Sequence, residues 1–589
     1  MRHRLSSQLA DALRIVAACA LIAAVGQVAR NVYLHYLRDT FAWASRDAVW
    51  MAPIAFSLLF GAVAVALLLA GRLYAPFSAP WTLAGVCGGL ASYSLVSQFP
   101  GIHPYAVLVL AVGVGARLGT AVRTRLEWWR RAFGRTGLVL GAGLLVLAVG
   151  DRGGRVLREQ RFLANAPAPP PSAPNVLLII LDTVRRANMS LYGYARETTP
   201  NIDRLAQEST VFDWAIAPSS WTLPSHAAMF TGRRPTELGV SWRDPMGASE
   251  RTLTEALRDR GYATGGFAAN LYYTTWESGL AQGFIRYTDY RTTIEQALLS
   301  ANLVQVPIVR RLLWARSLAD VADAFRRFDL RIPSDPWAHE WQSPDMARAF
   351  LQWQDGLGER PFFAFVNLFG AHDQDRVPEP WRSRFSATPT PMDLYDGGIA
   401  MVDAAVGMIL DSLRARGVLD RTLVIITSDH GEHLGERGLR SHGASLYLPV
   451  LRVPLLVRLP GRVPPGERIR TPVTLADLPA SVMDRLGIAD HGFAAPSWFA
   501  ADRRHDDAVL SEVGRSENPQ TPAGRGALYS LITSDFHYIH SVTGEEELYD
   551  LRSDPAGSRN VAQEPAYRAV LADLRARLAA RAPEILTPP

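Results

Sequence analysis

The sequence predicts an α/β protein: a doubly wound sheet with a small C-terminal antiparallel subdomain, preceded by a transmembrane region of five helices. Three observations carry that expectation. Long apolar runs crowd the first 150 residues. Beyond residue 175, short apolar runs that end in polar residues alternate with helical patterns. A proline-rich stretch separates the two regions.

Five runs approach the roughly 20 apolar residues that a bilayer core demands, at about 9–29, 50–71, 81–98, 104–122 and 137–150. The second, "MAPIAFSLLFGAVAVALLLAG", carries no charge, and Arg14 in the first sits near one end, where it can snorkel. Because further runs follow, the first does not read as a cleaved signal peptide. Arg2 and Arg4 precede the first run, and "RLGTAVRTRLEWWRRAFGRTG" between the fourth and fifth holds six arginines against one glutamate. Both ends then belong in the cytoplasm. An odd number of spans places the remainder outside it, at the cell (inner) membrane. The tryptophans of the basic stretch suit interfacial anchoring in the lipid bilayer better than nucleic-acid binding.

"LANAPAPPPSAP", residues 163–174, reads as a spacer with a reach of up to about 35 Å at ~3.1 Å per residue. The predicted organisation is therefore 1–150 transmembrane, 151–174 linker, 175–500 catalytic and 501–589 a C-terminal subdomain. The net charge of +5 is modest, and all 61 basic residues are arginine, so no lysine serves as base or phosphate clamp. The only cysteines, Cys19 and Cys87, lie in apolar runs, which excludes a disulfide framework and thiol chemistry from the rest of the chain.

Three apolar runs read as buried parallel strands: "NVLLIILD" ending at Asp182, "PFFAFVNLFGAH" leading to His372, and "TLVIITSDH" ending at Asp429 and His430. Helical patterns such as "PNIDRLAQES" separate them, which implies α/β winding. Ligand sites of such sheets lie beyond the carboxyl ends of the strands, so these polar residues converge on one edge. Singly, each has a plainer explanation. Asp182 can cap the following helix, "SDHGE" can be a turn, and His372 can be solvated. "LYSLITSDFHYIHSVTGEEELYDL" alternates like short antiparallel strands.

The segments "NVLLIILDTVRRANMSLYGYARETTPNIDRLAQESTVFDWAIAPSSWTLPSHAAMFTG", "SDHGEHLGERG", "LYLPVLRVPLLVRLPG" and "ELYDLRSDPAGSRNVA" resemble successive signatures of the sulfatase family in the alkaline phosphatase superfamily. The likeness covers about 175–565, and an alkaline phosphatase-like fold is what it implies. A multi-span anchor before such a domain is similar to lipoteichoic acid synthases and lipid A phosphoethanolamine transferases. The nucleophile position, cysteine or serine in typical sulfatases, is Thr222, and His226 stands where an arginine usually follows. With no cysteine there, the formylglycine of typical sulfatases has no precursor.

On this resemblance Asp182, Thr222, Asp429 and His430 hold one divalent metal ion. Three oxygens and one imidazole favour zinc or manganese, with calcium or magnesium as alternatives. Pro224 suits a first helical turn, which places Thr222 at a helix N-terminus, where an anionic ester is favoured. His226 becomes a weaker, titratable contact. His372 matches the family histidine that binds the ester or protonates the leaving group, and His442 falls near the family's active-site lysine. His433 and Glu436 shape their loop, and Asp396 and Asp403 are structural.

The expected activity is a membrane-anchored, metal-dependent hydrolase or transferase acting on anionic phosphate esters of envelope lipids or glycans. Hydrolysis of sulfuric esters is the alternative, and an inactive receptor for anionic envelope polymers is an alternative of another class. "VPIVRRLLWARSLADVADAFRRF", residues 306–328, reads as a helix packed on the domain or an interfacial helix near lipid.

Overall fold

The computed structural model describes residues 2–99, 101–169, 172–306, 309, 311–312, 343–501, 503–504 and 507–586. The chain forms two compact units, Met1–Gln160 with Tyr290–His339, and Arg161–Asp289 with Glu340–Pro589. The 306–328 stretch lies almost wholly outside the described residues.

Among the described residues the first unit contains five long helices, α1 (Arg2–Val32), α2 (Ala48–Ala70), α3 (Pro80–Val96), α4 (Pro104–Thr124) and α5 (Leu126–Asn165). Among the described residues four candidate spans replace the five expected: Ser6–Leu37, α2, α4 and α5 are long and apolar enough to cross a membrane. With 17 residues, α3 rises only about 25 Å, short of the ~30 Å hydrocarbon core. The parity argument for the side of the catalytic region thereby loses its premise. Helices α3 and α4 approach closely because glycines face each other. A Cβ on Gly85 would meet the Gly115 carbonyl at 3.0 Å, and one on Gly119 would meet that of Trp81 at 2.9 Å.

The same unit includes two short helices, Ile294–Leu299 and Asn302–Gln305, from a segment the sequence reading assigned to the catalytic domain. Leu299, Leu303, Val304 and Val306 join the apolar cluster of the long helices. Asn302 is buried there: its Nδ2 donates to the Ser94 carbonyl at 2.8 Å, Ser94 Oγ donates to its Oδ1 at 2.7 Å, and its N–H donates to Gln27 Oε1 at 2.9 Å.

The second unit is built on an eight-stranded sheet. In chain order its strands are β1 (Asn175–Leu181), β2 (Thr210–Phe212), β3 (Ala263–Ala268), β4 (Arg286–Thr288), β5 (Phe362–Leu368), β6 (Thr422–Thr427), β7 (Leu455–Arg458) and β8 (Arg468–Ile469). Their spatial order is β8-β2-β7-β6-β1-β5-β3-β4. The sheet is mixed, not wholly parallel, because β7 runs antiparallel to both β6 and β2. Strands β6, β1, β5, β3 and β4 are parallel, and β1, β5 and β6 are fully buried, as their continuous apolar runs require.

Helices α6 (Thr222–Thr231), α7 (Ser343–Asp355) and α8 (Pro391–Ala415) matter most to the packing. Val402, Val406, Ile409 and Leu413 of α8 close over Leu177, Ile179, Val366 and Ile426 of the sheet. Four antiparallel strands follow, β9 (Val509–Val513), β10 (Leu528–Ile532), β11 (Phe536–Ser541) and β12 (Glu546–Asp550).

The proline-rich stretch does not begin as an extended arm. Helix α5 continues to Asn165, the Leu163 carbonyl accepts from Arg360 Nη2 at 2.9 Å, and a Cβ on Gly261 would meet the Pro167 carbonyl at 2.1 Å. Its first residues are packed as part of the second unit.

Candidate active site

Register brings the expected residues together. Ile180 of β1 pairs with Asn367 of β5 on one side and Thr427 of β6 on the other, so the three strands end level. Asp182, the first residue past β1, donates its N–H to the Leu368 carbonyl at 3.0 Å. Asp429 and His430 follow two and three residues past the end of β6, and His372 follows β5.

Asp182, Asp429 and His430 each offer a ligand atom within 4.8 Å of the others, and all three are buried. The polar atoms behave as a metal site needs. Asn270 and Asn367 donate to Asp182 Oδ2 at 3.0 and 2.9 Å, whereas Asp182 Oδ1 is buried without a partner. Asp429 Oδ1 accepts from the N–H groups of Thr183 and His430 at 3.1 and 3.0 Å, and its Oδ2 is likewise unpartnered. His430 Nδ1 donates to the Gly431 carbonyl at 2.9 Å, which leaves the Nε2 lone pair facing Asp429 Oδ2 at 3.4 Å.

Burial, and for Asp182 also the repulsion of Asp429, pushes both carboxyls well above the ordinary aspartate range. Burial lowers the His430 imidazole, which stays neutral. Two orphaned carboxylate oxygens beside a neutral imidazole fit a divalent cation. Ligation would relieve the mutual repulsion of the acids and supply the partners they lack.

Thr183 occupies the left-handed region with φ +60°, a conformation that costs a β-branched residue about 1–3 kcal/mol. Three hydrogen bonds hold it there: its N–H to Asp429, its hydroxyl to the Asp182 carbonyl at 2.7 Å, and Tyr395 OH to its own carbonyl at 2.7 Å. This twist sets where the chain leaves Asp182.

Helix α6 starts at Thr222 itself, with Trp221 as the residue before it. Pro224 occupies the third helical position, where an N–H would have no intrahelical acceptor. Thr222 is fully buried, and its Oγ1 lies 3.2 Å from His430 Nε2. Ser225 Oγ donates to the Asp429 carbonyl at 2.6 Å and ties the helix to the end of β6. His226 turns inward. Its Nδ1 donates to the Thr222 carbonyl at 2.8 Å, and its ring packs against Phe365 with centroids 5.7 Å apart. Burial drives its pKa down to about 3. In this position it supports the first turn and remains uncharged, unlike the arginine it replaces.

His442 and His372 extend the cluster. The His442 ring lies 4.4 Å from His430, 5.1 Å from His372 and 4.8 Å from Trp221. His372 stacks on Phe369 at 4.2 Å. Burial lowers both imidazoles, and for His372 the neighbouring His442 and His430 add to the effect. His442 Nδ1 faces Glu432 Oε2 at 3.2 Å, and burial raises that carboxyl to about 8.

His433 hydrogen-bonds Ser445 Oγ at 2.8 Å, and Glu436 pairs with Arg185. Asp396 accepts from Asn188 and Tyr194, and Asp403 accepts from the N–H groups of Asn201 and Ile202. Asn270, Asn367 and Glu432 were not singled out from the sequence. Asn367 left a usable signal, as the one polar residue inside "PFFAFVNLF".

Comparison with known proteins identifies the family. The sulfatase family profile matches residues 174–488. The "uncharacterized sulfatase YidJ" of Escherichia coli (strain K12) is 26% identical over 444 residues, covering 69% of this chain and 85% of that protein. Steryl-sulfatase of Mus musculus is 26% identical over 517 residues, 69% of this chain and 82% of its own length. Among solved structures, the phosphonate monoester hydrolase of Agrobacterium radiobacter superposes with a TM-score of 0.54 at 24% identity, covering 69% of this chain and 95% of that one. A 2-O GAG sulfatase superposes with a TM-score of 0.51 at 18% identity, over 70% and 93%. The structural likenesses establish the shared α/β fold, and the profile, matching more than half of the chain, establishes descent: the protein belongs to the sulfatase family of hydrolases.

Proposed function

We propose that this chain is a membrane-anchored, metal-dependent enzyme that cleaves or transfers phosphate esters of envelope lipids or glycans, with Thr222 as nucleophile. One observation carries the reading. The buried Thr222 hydroxyl lies at the start of α6, 3.2 Å from His430 Nε2, in the cluster that holds two unpartnered carboxylate oxygens. Asp182, Asp429, His430 and Thr222 would hold the ion, which when bound lowers the pKa of a neighbouring hydroxyl and offsets anionic charge. The imidazole in the set favours zinc or manganese over calcium, which takes oxygen ligands.

Thr222 Oγ then forms a bond to phosphorus as the bond to the leaving alcohol breaks. The threonine proton ends on the departing alcohol oxygen, carried by His442 and His372, the neutral imidazoles of the cluster that do not hold the ion. Water or an acceptor alcohol attacks the phosphothreonine and restores the hydroxyl. Threonine has no second hydroxyl on the same carbon, so release of the anion by collapse of a hydrated aldehyde is closed to it. That argument favours phosphorus, where direct displacement is available. Sulfate-ester hydrolysis is the second reading, supported by the names of the sequence relatives.

The proposed location is the cell (inner) membrane, with the catalytic unit outside the cytoplasm. Its support is one helix. The stretch before the apolar run of α5, from the end of α4 into the first turns of α5, holds Arg117, Arg123, Arg125, Arg130, Arg131 and Arg135 with Glu127, against Arg152, Arg155, Arg158 and Arg161 with Asp151 and Glu159 after that run. The more basic end belongs in the cytoplasm.

The test is to incubate wild-type protein and Thr222→Ala with paired aryl phosphate and aryl sulfate, then map any covalent adduct by mass spectrometry. Turnover that falls at least about a thousandfold in the variant, with an adduct on Thr222 in the wild type, is expected. Undiminished turnover in Thr222→Ala refutes the assignment. An inactive receptor is the outcome if neither ester turns over and no metal co-purifies.

A further inference from the structure

A groove runs along the seam of α3 and α4 in the helical unit. Gly85 and Gly89 share one face of α3, and Gly115 and Gly119 share one face of α4, because residues four apart are neighbours on a helix. The two backbones touch there. A Cβ on Gly89 would meet the Ala111 carbonyl at 3.1 Å, and one on Gly115 would meet that of Gly85 at 2.5 Å. Beside this seam lies a cavity of about 570 Å³, lined by those glycines and walled by Leu90, Leu108 and Val112. From Leu108 to Arg123 it follows α4 for about 22 Å, more than half of a ~30 Å hydrocarbon core.

Polarity is concentrated at the end where α3 starts and α4 finishes. Thr82 Oγ1 donates to the Pro76 carbonyl at 2.6 Å and Thr120 Oγ1 to the Ala116 carbonyl at 2.9 Å, so both hydroxyls are satisfied locally. Arg123 is the one charged side chain among the described lining residues. It is exposed, its guanidinium lies over the Trp81 ring at 5.6 Å, and no carboxylate pairs with it among the described residues. An indole face attracts a guanidinium but does not neutralise it. Arg125, Arg131 and Arg135 follow close behind in the chain, which makes this the basic, tryptophan-rimmed end of the groove, where a headgroup sits.

We propose that the groove holds a diacyl phospholipid of net negative charge as a resident lipid, one acyl chain along the glycine seam and the phosphate on Arg123. The inference rests on the membrane-anchored reading of the helices. The site belongs wholly to the first unit and is separate from the ester-cleaving cluster of the second. An acyl chain is thin enough to lie between the walls, and its anion ends at the interface, where a guanidinium can take two phosphate oxygens at once. A second copy of this chain fits less well. A two-fold axis along the membrane normal would bring its own Arg123 to the same depth, and like charges would meet.

Native mass spectrometry of the full-length protein, released from detergent after titration with dioleoyl phosphatidylglycerol or dioleoyl phosphatidylcholine, counts the bound lipid. Wild type is expected to bind one phosphatidylglycerol at least about fivefold more tightly than phosphatidylcholine. Arg123→Gln is expected to lose that preference. Arg135→Gln, which removes an exposed cation of the same end outside the groove, is expected to keep it. Ala116→Phe, which puts a ring into the groove from an exposed position, is expected to lose the bound lipid. Equal affinity of the wild type for the two lipids, a preference that survives Arg123→Gln, or an equal loss in Arg135→Gln overturns the proposal. So does a lipid-free dimer that Ala116→Phe dissociates. Flotation of detergent-depleted wild type with phosphatidylcholine vesicles tests the membrane reading separately. Protein that fails to float overturns that reading and the groove with it, whereas protein that floats without lipid preference overturns the groove alone.

Discussion

Replacing Asp182 by asparagine separates the electrostatic cost of the site from its benefit. Ligand atoms of Asp182 and Asp429 lie within 4.8 Å of each other in a fully buried setting. Two full charges at that distance repel by about 3 kcal/mol at an effective dielectric constant of about 20. The asparagine carbonyl still accepts from Asn270 and Asn367, and its amide replaces the orphaned Oδ1. Metal-free Asp182→Asn should therefore be more stable than metal-free wild type, by up to about 3 kcal/mol where both carboxyls are ionised in the wild type. Acids whose folded pKa is raised lose stability as pH climbs through that pKa, so the gap should widen from pH 6 to pH 9.

Added zinc or manganese should reverse the order. The wild type gains about 3–4 kcal/mol at 100 to 1,000 times the dissociation constant, and the variant gains little. Thermal melts with chelator and with metal, across that pH range, provide the measurement. A metal-free variant that melts below metal-free wild type at pH 9 would refute the reasoning, as would an undiminished metal-induced shift in the variant.

Two further outcomes follow from the geometry. Metal uptake by chelator-treated protein at neutral pH should release protons, because burial raises both acids toward or above neutrality; calorimetry in buffers of different ionisation enthalpy checks this, and buffer-independent heats would contradict it. Asn302→Leu should destabilise the helical unit by about 1–2 kcal/mol through its lost bonds to Ser94 and Gln27. Unfolding in graded detergent mixtures reads that change, with Ile294→Ser, an exposed position, as the neutral control.

The strand ends were legible because burial on both faces writes a continuous apolar run, and the first polar residue after it marks the edge. Thus Asp182, His372, Asp429 and His430 could be placed on one edge from the sequence alone. Asn270 escaped because β3, "ATGGFA", is built of small residues that let Trp353 and Tyr287 close over Gly265 and Gly266; it has no long apolar run to announce it. The packing of His226 against Phe365 was not legible, because sequence position reveals the helix but not which side of its first turn faces the sheet. The reversed direction of β7 left no trace, since "VPLLVR" reads alike in either sense. The shortfall of α3 against the bilayer emerged only once Pro80 and Ser97 bounded it. Residues 294–305 carry apolar positions that suit the core of either unit, so their pattern did not reveal that they pack with the long helices.

That last feature governs how the protein can be cut. The backbone passes between the two units three times, near residues 160, 289 and 339. A fragment beginning at residue 161 would carry Leu299, Leu303, Val304 and Val306 stripped of their packing partners, and would be sticky in water. During synthesis, β4 emerges before the inserted segment and α7 after it. The ribosome therefore delivers the sheet in two instalments, separated by a stretch already committed to the earlier helices.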